Sequence, residues 1–121
     1  MVGLKSITVK MGMFDFSVRC LIGKQEDAEK IIRTKLELDE DFDSGYQARG
    51  KTYFRTGYVP IIWIPKRPKT PLEYSTLAHE CIHAMMYLYD WTGMEVNPGN
   101  EEVLCHGTAH LMRTILEKSK Q

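Results

Sequence analysis

The chain has no apolar run long enough to cross a bilayer, so no membrane-spanning role is expected. It has no excess of either charge. Sixteen Lys and Arg balance sixteen Asp and Glu, and this balance does not point to nucleic acid or an anionic membrane. Cysteine is scarce. Cys20, Cys81 and Cys105 are odd in number and lack the spacing of a disulfide framework, which suggests reduced thiols in a cytoplasmic setting. The opening residues Met1-Val2-Gly3-Leu4-Lys5-Ser6 carry no long apolar stretch, so no signal peptide is expected. Repeats and low-complexity segments are also missing. What remains is a 121-residue chain, 43% hydrophobic, which suits one domain spanning 1–121 with its own core.

The pattern of apolar residues alternates between strand and helix spacing. Strands are expected over 4–11 and, with better alternation at Phe16, Val18 and Cys20, over 14–22, ended by Gly23. Residues 24–38 carry Ala28, Ile31, Ile32, Leu36 and Leu38 at roughly helical spacing. An acidic loop follows, Asp39-Glu40-Asp41-Phe42-Asp43-Ser44-Gly45, read as solvated rather than as a binding site. Residues 46–55 and 59–64 bracket Thr56-Gly57-Tyr58 as a hairpin. Pro60 and Pro65 flank Ile61-Ile62-Trp63-Ile64, which places that strand at a sheet edge, since proline cannot donate to a ladder.

The main helix starts after the basic connector 65–69. Thr70-Pro71-Leu72-Glu73 supplies a cap, a first-turn proline and a capping-box glutamate. Tyr74, Ala78, Cys81, Met85 and Leu88 then form the expected apolar stripe, and Gly93 follows the end. A turn-rich link, Asn97-Pro98-Gly99-Asn100, leads to a last helix over 101–117 with Leu104, Leu111, Met112 and Ile115 on its apolar face. The fold class expected is α+β.

Within the main helix lies His79-Glu80-Cys81-Ile82-His83, an HExxH motif. Histidines four apart fall about 40° from each other on a helical wheel, so both imidazoles can reach one ion. They lie nearly opposite the apolar stripe, where a core-filling histidine would not sit. An exposed polar pair is the bland alternative, and HExxH also arises by chance. A catalytic zinc wants a third protein ligand, and a carboxylate is acceptable. Glu101 and Glu102 open the last helix, although acidic residues there also suit the positive end of the helix dipole.

HExxH followed by a second helix with an Asn-Glu pair near its start resembles the gluzincin class of zinc metallopeptidases. Eighteen residues separate His83 from Glu102, a gap familiar in that class, and Asn100 is followed here by two glutamates. The resemblance implies Zn²⁺ held by His79, His83 and Glu102, with Glu101 as the competing ligand. It leaves His106 where thermolysin-like members carry an aspartate, a departure from the pattern. Upstream, Ile62-Trp63-Ile64-Pro65-Lys66-Arg67-Pro68-Lys69-Thr70-Pro71 leading into Leu77-Ala78-His79-Glu80 is similar to short metallopeptidases of phage and prophage genomes. The similarity covers about residues 59–116 and implies the cytoplasm of a phage-infected or prophage-carrying bacterium.

The fold implied is a zincin-like single domain. It has a small, mainly antiparallel sheet with an edge hairpin, one helix in the first half and two C-terminal helices carrying the metal. The activity implied is peptide-bond hydrolysis by a metal-activated water, with Glu80 as general base and an extended peptide or protein substrate along Ile61–Ile64. The alternative is a weakly active or inactive metal-binding module that docks a protein partner on its edge strand. A nucleic-acid-associated protease is a third reading, which the balanced charge disfavours. His106 and His110 are substitute histidine ligands, and Tyr87 and His110 are candidate oxyanion donors. Cys81, Cys105 and the Lys66-Arg67-Lys69 cluster are read as core, core and connector.

Overall fold

The computed structural model describes residues 3–12, 15–38 and 49–120. The order of elements is β1 (Lys5–Lys10), β2 (Ser17–Ile22), α1 (Gln25–Lys35), β3 (Lys51–Tyr53), β4 (Ile61–Ile64), α2 (Pro71–Thr92) and α3 (Glu101–Lys118). This is an α+β domain with the elements in the expected sequence. The acidic segment 39–45 and the first residues of the 46–55 stretch fall outside the described residues.

The four strands form one mixed sheet in the order β1-β2-β4-β3. β1 with β2 and β3 with β4 are antiparallel, while β2 and β4 run parallel. Alternation along the strands sends apolar side chains to both faces. Val18, Cys20, Ile22, Ile62 and Ile64 face a core shared with Leu77, Cys81, Met85 and Leu88 of α2 and Leu111 and Ile115 of α3. Leu21, Ile61 and Trp63 face the other side, against Ala28, Ile32 and Leu36. The sheet is thus covered by α1 on one face and by α2 and α3 on the other.

This layering corrects the expectation for Ile61–Ile64. All four residues are buried, and β4 lies between β2 and β3 rather than at the edge. Four apolar residues in succession mark a strand covered on both faces, as in a buried parallel strand. The prolines sit just outside it and cost no ladder bond; the Pro60 carbonyl even accepts from the Arg19 amide at 3.0 Å. Among the described residues, the edge on this side belongs to β3.

α2 starts as its sequence implies. The Glu73 amide donates to Thr70 Oγ1 at 3.2 Å, and Glu73 Oε1 accepts from the Thr70 amide at 3.2 Å. At the other end Gly93 takes a left-handed φ of 76°, the αL cap for which glycine carries no Cβ penalty. The buried stripe is rotated from the expected one: Leu77, Cys81, Ala84, Met85 and Leu88 are buried, while Tyr74 is 37% exposed. Replacing Thr70 with Ala removes the cap and should cost about 1 kcal/mol, measurable by urea denaturation.

Glu73 also pairs with Lys66 at 2.9 Å. The Lys66 ammonium foremost, then the Lys69 and Thr70 amides, hold the Glu73 carboxyl down at about 2, below its ordinary 4.5. A depressed carboxyl stabilises the fold above its ordinary range, and that contribution fades as pH falls toward 2. Exposure keeps it small and salt-sensitive. Glu73→Gln should therefore lose melting temperature less steeply than the wild type between pH 4.5 and 2. Molar salt should narrow the difference between them.

α3 runs opposite to α2. Tyr89 donates its hydroxyl to Asn100 O near one end of the pair. A Cβ on Gly107 would run into the thioether end of Met85, so that side chain of α2 lies over Gly107 of α3. At the far end Arg67, just before α2, donates to Ser119 Oγ at 3.0 Å and to Leu116 O at 3.1 Å. Two cations of the basic connector are therefore engaged within the fold, Lys66 by Glu73 and Arg67 by the end of α3. That is a connector's role.

Candidate metal centre

Helical periodicity brings His79 and His83 together on the exposed side of α2. Their Nε2 atoms are 3.1 Å apart and the rings meet edge to face. Two nitrogens at ~2.0–2.1 Å from a tetrahedral zinc would stand about 3.3 Å apart. The observed spacing fits a pair of donors to one ion. It fits only a partial shell, because a structural or catalytic zinc takes at least three protein ligands.

Glu80 lies beside the pair but turns inward. It is 6% exposed, and its Oε2 is 3.9 Å from His79 Nε2. Its other oxygen, Oε1, accepts from Thr52 Oγ1 at 2.8 Å, so the edge strand holds the carboxylate. Gly50 packs closely on α2 nearby: a Cβ there would crowd Thr76 Cγ2 at 2.8 Å, while 3.5 Å from Glu80 Cγ is ordinary contact. Arg49, Gly50, Ser75, Thr76, His79 and Glu80 line an open cleft of about 380 Å³ between β3 and α2. Arg49 and Thr76 continue into a second, largely apolar groove with Ile64, Pro65 and Leu72.

The third ligand is not in place. Among the described residues, no group of three or more His, Cys, Asp or Glu side chains is arranged to hold an ion. Glu102 instead pairs with His106 at 2.8 Å, with both side chains exposed. The helix pairing gives the reason. The 89–100 and 85–107 contacts put Glu102 roughly level with the last turn of α2 before Trp91. That leaves it about 8 Å along the axis from His83, at ~1.5 Å per residue. It also shares a ridge with His106 and His110, and His110 Nε2 reaches Lys10 O on β1 at 3.1 Å. That ridge turns toward β1 rather than toward the histidine pair.

Other candidates find definite roles. Cys81 is fully buried, and burial first, then the Glu80 carboxylate, push its thiol up to about 12. It stays protonated near neutrality, whereas a metal ligand must be a thiolate. Cys105 is exposed. Tyr87 donates its hydroxyl to Arg55 O at 2.8 Å, tying the β3–β4 connection to α2. Thr52, Gly50 and Arg49 were not singled out by the sequence. Nothing in a Gly-Lys-Thr run near a hairpin marks it as the neighbour of a glutamate almost thirty residues away.

No helix of the described residues is long and apolar enough to cross a membrane. Comparison with protein-family models, with curated proteins and with solved structures gave no match to this chain.

Proposed function

We propose that this protein is a zinc-dependent peptide hydrolase in which His79 and His83 supply two metal donors and Glu80 is the general base. The observation that carries the reading is the 3.1 Å Nε2–Nε2 spacing with a buried carboxylate oxygen 3.9 Å away. Burying a carboxylate costs free energy that hydrogen bonds or a nearby cation must offset. Thr52 bonds one oxygen of Glu80, and the other lies beside the imidazole pair, where a bound cation would complete the compensation. When bound, zinc supplies a Lewis acid and an acidified water.

The chain's own residues do the rest. Glu80 Oε2, the oxygen on the histidine side, takes a proton from the water as its oxygen bonds to the scissile carbonyl carbon, and gives that proton to the amine nitrogen as the C–N bond breaks. The substrate is a peptide in extended form. Its pairing edge is β3, Lys51–Tyr53, which runs on from the cleft-lining Arg49 and Gly50, and not the central strand β4. Strand pairing uses backbone groups and is tolerant of sequence, so the apolar groove beyond Arg49 and Thr76 is where side-chain preference would arise. Glu102 becomes the third donor only if its carboxylate leaves His106 and α3 slides or tilts toward His83. Glu101, one residue earlier, lies on a different side of the same helix and is the competing donor.

The test is metal content by mass spectrometry together with cleavage of a mixed peptide library. Stoichiometric zinc and cleavage that chelator abolishes would support the reading. Zinc without cleavage would instead favour a metal-binding module that recognises a partner through the β3 edge. A chain that takes up no zinc would sink both.

A further inference from the structure

We infer that Thr52 on the edge strand is a positioning residue that holds Glu80 so that only Oε2 faces the histidine pair; this rests on the hydrolytic reading above. The Thr52 hydroxyl lies 2.8 Å from Glu80 Oε1 and 3.0 Å from the Glu80 carbonyl oxygen. It has one proton to donate. The carbonyl lies in the middle of α2, where the amide four residues on is its ordinary partner. The carboxylate oxygen is the stronger acceptor, since an ionised partner makes a shorter and stronger hydrogen bond. Thr52 therefore donates to Oε1.

The consequence is a division of labour between the two carboxylate oxygens. With Oε1 occupied from β3, Oε2 at 3.9 Å from His79 Nε2 is the oxygen left to receive and release the proton. The setting is tight. Glu80 is buried, and Gly50, just before β3, lies close against Thr76, one turn of α2 before Glu80. A glutamate side chain has three rotatable bonds, and a tether at one oxygen removes most orientations in which neither oxygen faces the cleft. The same tether couples the edge strand, where substrate would pair, to the base. Substrate that pulls on β3 thus acts on the geometry of Glu80.

The test uses the full chain with Thr52→Val, which keeps the branched shape and β propensity but removes the hydroxyl, and Thr52→Ser, which keeps the hydroxyl. On the zinc-loaded protein, Thr52→Val should lower kcat by about 10-fold or more with KM changed less than 3-fold. Thr52→Ser should stay within about 3-fold of the wild type. Thr52→Ala serves as the hydroxyl deletion if the valine variant fails to fold. On the zinc-free protein, Thr52→Val should lower the melting temperature by roughly 3–5 °C, but leave it unchanged in a Glu80→Ala background. Wild-type kcat in Thr52→Val, a serine variant as impaired as the valine one, or equal melting shifts in both backgrounds would each overturn the assignment. A wild-type chain that binds zinc but cleaves nothing would overturn the hydrolytic reading and this role with it, even where the melting shifts are coupled.

Discussion

Glu80→Gln is expected to lower kcat for peptide cleavage by about 10²–10⁴-fold, the range a positioned general base contributes. Zinc content should be unchanged. Glutamine has nearly the shape of glutamate and can still accept from Thr52 through its amide oxygen, so the 2.8 Å contact and the packing of α2 against β3 survive. It lacks an oxygen that can take a proton. The measurement is kcat and bound zinc on the same preparation. Persistence of hydrolysis would remove Glu80 from the chemistry, while joint loss of zinc and activity would mean the substitution had disturbed the histidines. Because Glu80 is itself buried and is followed at once by the core residue Cys81, a melting curve is the needed control.

His83→Ala should reduce zinc affinity by at least about 100-fold, more than the loss caused by removing an outer-shell partner. Stability should hardly fall, because the His83 side chain is on the exposed side of α2. Alanine is also the better helix former. His79→Ala should behave alike. The sharper question is the third donor, and the same titration answers it. Glu102→Ala should weaken zinc if α3 rearranges on loading. It should leave affinity unchanged if the ligand is Glu101, and the Glu101→Ala variant then shows the loss. Zinc affinity unmoved by His79→Ala and His83→Ala together would end the metal-centre proposal.

Local signals carried much of the architecture. The capping box at Thr70 and Glu73, the αL glycine at Gly93 and the extents of β1, α1 and α3 could be read within a residue or a few. They could be read because each depends on neighbours within one or two turns. The meeting of His79 and His83 was legible for the same reason, since helical period alone brings residues four apart together. The place of β4 was misread from its prolines. The stronger signal was four apolar residues in succession, which a half-exposed edge strand would not carry.

The rest is long-range. The stripe on α2 had Leu77 and Ala84 in place of Tyr74 and Ala78 because two neighbours, the sheet and α3, set which arc is covered. A single-helix wheel contains neither. That Thr52 reaches Glu80 depends on β3 lying outermost in the sheet, which follows from pairing between segments far apart in the chain.

The arrangement confined to one helix, two imidazoles with a carboxylate between them in the sequence, was written in the order of residues, because the 3.6-residue turn converts spacing directly into direction. Which strand borders that chemistry, which hydroxyl holds the carboxylate, and how far Glu102 stands from His83 emerged only with packing. Each depends on how α2 crosses α3 at Met85 and Gly107 and on the sheet order, and such contacts between distant segments leave no periodic trace in the chain.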